Sequence, residues 1–172
     1  MSIKETMLVN YVPTGSQTLL PYLLVEDGTK MLTFLKNAFK ATEDHVSHDD
    51  AGKVRHATVD IYGSKLMMGQ VGGGWKATPC ALYFYVRDSD AVHKDAIAAG
   101  ATQILAPKDQ FYGDRHGGVI DPCGNQWWIA THTEDVSNDE IERRGKESRK
   151  NPKKKSRGRT VGEQVVRVTK PY

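Results

Sequence analysis

Two stretches of this chain repeat one order of hydrophobic and polar positions. The runs "LLPYLLVED" (19–27) and "ALYFYVRD" (81–88) are apolar, aromatic and β-branched, and each ends in charge, as a strand does before a turn. Apolar positions at helical spacing follow each run: Met31, Leu32, Leu35, Ala38 and Phe39 in the first, Val92, Ala96, Ile97 and Ala99 in the second. Ser89 or Asp90 suits the cap of the second helix, and Gly100 its end. A strand-rich stretch then leads to an Asp-x-x-Gly turn and a return strand, "KLMMGQV" (65–71) or "QWWIATH" (126–132). A single 61-residue offset places Tyr22 on Tyr83, Val25 on Val86, Asp60 on Asp121 and Gly63 on Gly124. The pattern predicts an α+β fold of two tandem βαβββ modules, about 18–70 and 79–132. The link "GQVGGGW" (69–75) lacks the Gly-Lys-Ser/Thr ending of a phosphate-binding loop.

Length and charge sharpen this picture. With 172 residues the chain has room for one domain with a real core. No 18-residue window is apolar and uncharged, and the start "MSIKETMLVN" lacks the basic-then-apolar pattern of a secretory signal, so a cytoplasmic protein without membrane contact is expected. Cys80 and Cys123, the two cysteines, are then expected as reduced thiols. From Ile141 onward there are 12 Lys or Arg against 3 Glu, while the first 140 residues hold 12 basic and 18 acidic groups. The expected organisation is an N-terminal segment (1–17), an acidic folded domain (18–140) and a basic tail (141–172). Ser137 or Asn138 suits the cap of a short helix at the tail's start. "NPKKKSRGR" is too charged to fold alone. It is a possible nonspecific contact for nucleic acid, although a solvated tail is the commoner outcome. "EQVVRVTKPY" regains strand character and is suited to pair with its own or a partner subunit's sheet.

The segment "DQFYGDRHGGVIDPCGNQWWIATHTEDVS" (109–137) resembles the PhnB-like branch of the vicinal oxygen chelate superfamily, which includes glyoxalases, extradiol dioxygenases and bleomycin-resistance proteins. The resemblance spans roughly residues 18–145. Asn125 stands where that branch usually has histidine, and Cys123 where it has an aromatic residue. The resemblance implies that the two modules curl a sheet into a cup, and that the chain pairs as a homodimer. It leaves the activity open, because the superfamily spans isomerases, dioxygenases and antibiotic-sequestering proteins.

In metal-dependent members of that superfamily, His or Glu ligands come from the first strand of each module and the strand after its hairpin. The resemblance carries those positions onto Leu20, Met67, Ala81 and Trp128, none of which suits a hard or borderline divalent ion. The expectation is therefore no metal and no cofactor. Strand alternation puts Tyr22, Tyr83 and Tyr85 on the same faces as Met67 and Trp128, and these five form the expected ligand-binding set. A small-molecule ligand, aromatic or amphipathic, is the expected partner. A closed core is the alternative for these side chains. For the function, the alternative is a lyase, isomerase or dioxygenase-like enzyme with an unconventional metal or a Tyr/His acid–base pair. "DHVSHDD" (44–50), with His45, His48, Asp49 and Asp50, reads as a solvated loop. His56 and His116 are further available imidazoles, and His132 reads as a rim residue at a strand end. "FYGDRHGG" (111–118) reads as a structural loop that Asp114 and Arg115 fix through local hydrogen bonds, with Phe111 or Tyr112 at the rim.

Overall fold

A computed structural model describes residues 9–150. It divides into two units after Asp135. The first contains β1 (Tyr22–Val25), α1 (Gly28–Phe39), β2 (Thr42–His48), β3 (Val54–Ile61) and β4 (Ser64–Gln70). It continues with β5 (Ala81–Tyr85), α2 (Ser89–Ala98), β6 (Thr102–Asp109), β7 (Asp114–Ile120) and β8 (Gln126–His132). The strands form two four-stranded mixed sheets, ordered β1-β4-β3-β2 and β5-β8-β7-β6. The fold is thus α+β in two βαβββ modules.

The modules agree element by element. β1 runs parallel to β4 with Tyr22 opposite Met67, and β5 runs parallel to β8 with Tyr83 opposite Trp128. Asp27 caps α1 by accepting from the Lys30 amide at 2.9 Å, and Asp88 caps α2 by accepting from Ala91 at 3.0 Å. The cap of α2 is therefore Asp88, which precedes both Ser89 and Asp90, the two caps that the pattern offered. Ser89 is buried instead, and its hydroxyl donates to the Arg115 carbonyl oxygen. Gly63 and Gly124 turn the paired hairpins with φ of +86° and +94°, conformations open to glycine. In the second hairpin Asp121 is buried and accepts from the Cys123 and Asn125 amides, the Asn125 side chain and the Trp127 indole N–H.

Each sheet turns alternate residues onto its helix. Leu23, Val25, Ala57, Val59, Leu66 and Met68 meet Met31, Leu35 and Phe39 of α1 in the core. Phe39 connects the modules: its ring contacts Phe84 at 5.1 Å and Trp127 at 4.7 Å, both in the second sheet.

"DHVSHDD" is not a loop throughout, since residues up to His48 belong to β2. That strand is polar because it lies at the sheet edge, hydrogen-bonded to β3 alone, with most of its side chains exposed.

In the second unit, α3 (Asn138–Lys150) starts near the expected cap: the Glu140 amide lies 3.4 Å from the Ser137 hydroxyl oxygen. Arg143 pairs with Glu140 and Glu147 along its surface. "NPKKKSRGR" and "EQVVRVTKPY" lie outside the described residues.

Candidate ligand-binding site

The second sheet presents an aromatic face away from its helix. On β5, Leu82 and Phe84 pack against the core, so Tyr83 and Tyr85 point to the opposite side. Register places Tyr83 beside Trp128, and Trp128 beside Gly118. A Cβ on Gly118 would stand 2.9 Å from the Trp128 ring, so glycine there is what lets the indole lie flat across β7. Trp128 stacks on His116 at 5.6 Å and 28°, and His116 lies 5.8 Å from the Tyr83 ring. Tyr83 and Tyr85 meet edge to face at 5.4 Å. With 44% and 58% exposure these two tyrosines are not part of a closed core.

Asp114 organises the polar side of this face. It is 4% exposed, yet its carboxylate accepts three hydrogen bonds. Tyr83 and Tyr85 donate their hydroxyls to Oδ2 at 3.0 and 2.9 Å, and His132 Nδ1 lies 2.9 Å from Oδ1. The other His132 nitrogen faces Asp135 at 3.0 Å. Burial raises the Asp114 carboxyl, but the bonds from His132, Tyr85 and Tyr83 more than offset this and hold it below its ordinary value. His132 moves up because both carboxylates favour the imidazolium. Burial and the bond to Asp114 push the Tyr83 phenol well above its usual range, so it stays protonated and donating. His116 behaves oppositely: burial moves it down, its Nδ1 is buried without a partner, and its Nε2 lies 3.4 Å from the Tyr112 hydroxyl.

A cleft of about 490 Å³ adjoins this face. Leu19, Pro21, Ile61, Leu66, Leu82 and Trp127 supply apolar wall, and Tyr62, Tyr83 and Tyr85 supply phenols. Tyr62 stacks on Phe84 at 6.4 Å and 17°, tying the first module's hairpin to β5. Lys65 lines the cleft while ion-paired with Asp44, and Gln17 spends its amide on the Lys65 backbone N–H and carbonyl, both at 3.0 Å.

The five expected ligand residues fall into two groups. Tyr83, Tyr85 and Trp128 share one face with Asp114 and His116. Tyr22 and Met67 sit opposite each other on the first sheet, where Tyr22 contacts His56 at 5.8 Å and His56 contacts His45 at 6.4 Å. Among the described residues no ring contact links the two groups. "FYGDRHGG" is corrected as well, because Asp114 begins a strand and bonds across the sheet. Arg115 is also bound at longer range, to Asp90 at 2.5 and 2.8 Å and to Asp109 at 3.0 Å. Asp114 as the hub is the residue that sequence reasoning missed. Its signal was a single carboxylate opposite a histidine across one hairpin.

The family profile described as Glyoxalase/Bleomycin resistance protein/Dioxygenase superfamily matches residues 16–129. The chain belongs to this superfamily. It is similar to Rv0887c, an uncharacterised protein of Mycobacterium tuberculosis, at 35% identity over 149 residues, covering 80% of this chain and 85% of that one. Among solved structures it resembles TioX from Micromonospora sp. ML1, with a TM-score of 0.59, 23% identity, and coverage of 68% of this chain and 99% of TioX. A PhnB protein from Bacillus cereus matches with a TM-score of 0.54 and 20% identity, over 67% of this chain and 99% of that one. These two likenesses show the fold. Of the four positions that the resemblance offers a metal, Leu20 precedes β1, where Tyr22 stands opposite Met67, and none of Leu20, Met67, Ala81 and Trp128 carries a donor that fits a hard or borderline divalent ion. Among the described residues no three His, Cys, Asp or Glu side chains converge in a metal-holding group.

Proposed function

We propose that this superfamily member binds a small aromatic or amphipathic molecule in the cleft beside β5, without a metal, and that the PhnB-like branch is its place in the superfamily. One observation carries the reading: a drug-sized apolar cleft borders two exposed phenols locked in orientation by a buried carboxylate. Apolar walls take up the ligand body, the tyrosine rings stack, and the polar groups orient. The four side chains at the superfamily's ligand positions support metal independence. Exposed aromatic side chains outside the cleft, Tyr22 and Trp75, support a homodimer that covers them, which sedimentation velocity tests.

Binding of the neutral dye N-phenyl-1-naphthylamine tests the cleft. Leu19 lines it and is 83% exposed, so Leu19→Asp places a charge in the wall with little cost to the fold. Saturable dye binding that weakens about tenfold or more in this variant is the expected result. Binding that is unchanged in Leu19→Asp places the dye elsewhere and ends this reading.

An acid–base enzyme is the second reading, favoured by the buried, unpartnered Nδ1 of the low-titrating His116. His132 is less suited to proton transfer, because each of its nitrogens already faces a carboxylate. Turnover of a carbonyl or epoxide substrate panel that is lost in His116→Ala would establish the enzyme.

A further inference from the structure

The direction of the hydrogen bonds around Asp114 defines the polar part of the ligand. Tyr83 and Tyr85 each have one hydroxyl proton, and both protons are committed to the same carboxylate oxygen. The Tyr83 hydroxyl is also hydrogen-bonded with those of Tyr85 and Tyr112, so what these phenol oxygens offer a ligand is lone pairs, chiefly those of Tyr85. Their accepting strength is increased by donation to an anion, since linked hydrogen bonds polarise one another. Tyr83 and Tyr85 are 44% and 58% exposed as residues, and the open parts of their ring faces attract positive charge.

The charges nearby point the same way. Asp114 and Asp135 both face His132, which carries at most one positive charge, and so leave a negative balance behind the tyrosines. Lys65 is the one cation among the lining residues, and Asp44 holds it. Gln17 uses its amide oxygen and one of its two N–H protons on the backbone of Lys65. Tyr62 and Ser64 carry rotatable hydroxyls that donate or accept alike and do not discriminate. Arg115, a natural partner for an anion, is held by Asp90 and Asp109.

We infer that the cleft selects a protonated amine on an aromatic or apolar body over a carboxylate of the same shape, with Asp114 as the positioning residue. This rests on the cleft being the binding site. A carboxylate head would find no free donor on Tyr83 or Tyr85. To gain one it would have to break a bond to Asp114 and bring a second negative charge beside a buried one.

Three probes of one shape test this at neutral pH by displacement of N-phenyl-1-naphthylamine: 2-naphthylmethylamine, 2-naphthoate and 2-naphthalenemethanol. The amine is expected to bind about tenfold or more tighter than the carboxylate. In Asp114→Asn the ratio should fall to about threefold or less, with the alcohol's affinity unchanged within about twofold. Tyr85→Phe provides a second route should Asp114→Asn lower the unfolding midpoint below the assay temperature. Tyr85 is exposed, and its loss should weaken the amine severalfold while sparing the alcohol. Carboxylate binding equal to or tighter than amine binding overturns the inference and leaves the cleft standing. A ratio that survives both variants does the same. If none of the three probes displaces the dye, the cleft reading falls and this inference falls with it.

Discussion

Asp114 shows how one buried carboxylate sets the state of its neighbours. With His132 donating to it the pair shares charge, and the two groups contribute to stability over opposite pH ranges. His132 titrates above its ordinary 6.5, so its contribution is complete below 6.5 and is lost as pH rises through the raised value. Asp114 titrates below its ordinary 3.8, so its contribution is present above 3.8 and is lost as pH falls through the lowered value. His93 and His116 shift down by burial, and what they contribute is complete above 6.5 and lost on acidification. Histidine resonances followed by NMR should therefore separate, with His132 titrating above 6.5 and His93 and His116 below it. In Asp114→Asn the His132 midpoint should move down toward 6.5. A His132 midpoint that ignores this substitution would mean that Asp114 does not set its charge.

At the scale of elements, each module begins with the same device: an aspartate caps the helix that follows the first strand. In the first module the residue after the cap carries a further constraint. A Cβ on Gly28 would stand 2.1 Å from the Val54 carbonyl oxygen, a backbone atom in β3 that cannot rotate away. Gly28→Ala is therefore expected to destabilise by about 3 kcal/mol, measured by urea unfolding. A loss below about 0.5 kcal/mol would show that α1 does not start hard against β3. Both first strands and both helices were legible because apolar spacing and capping chemistry are written within a few residues of one another. β2 was not legible. A strand bonded on one side with solvated side chains needs no apolar alternation, so "TEDHVSH" carries none of the pattern that marks its neighbours.

Across the whole first unit, a small aromatic group holds the modules together. Phe39 ends α1, is fully buried, and meets Phe34 within its own helix as well as Phe84 and Trp127 across the junction. Phe39→Ala should destabilise by about 3–5 kcal/mol and should loosen both modules in hydrogen exchange. Exchange that rises in α1 alone would show modules stable without their junction. The sequence by itself determined the duplication, the first strand, helix and final hairpin of each module, and the residues that face away from each helix, because periodicity, caps and turns are local properties of the chain. Tertiary structure alone decided that Asp114 collects Tyr83 and Tyr85 from 31 and 29 residues away, and that Tyr22 and Met67 form a group apart from Trp128. Alternation fixes which way a side chain points, whereas what it meets there depends on strand order, register and the packing of one module against the other.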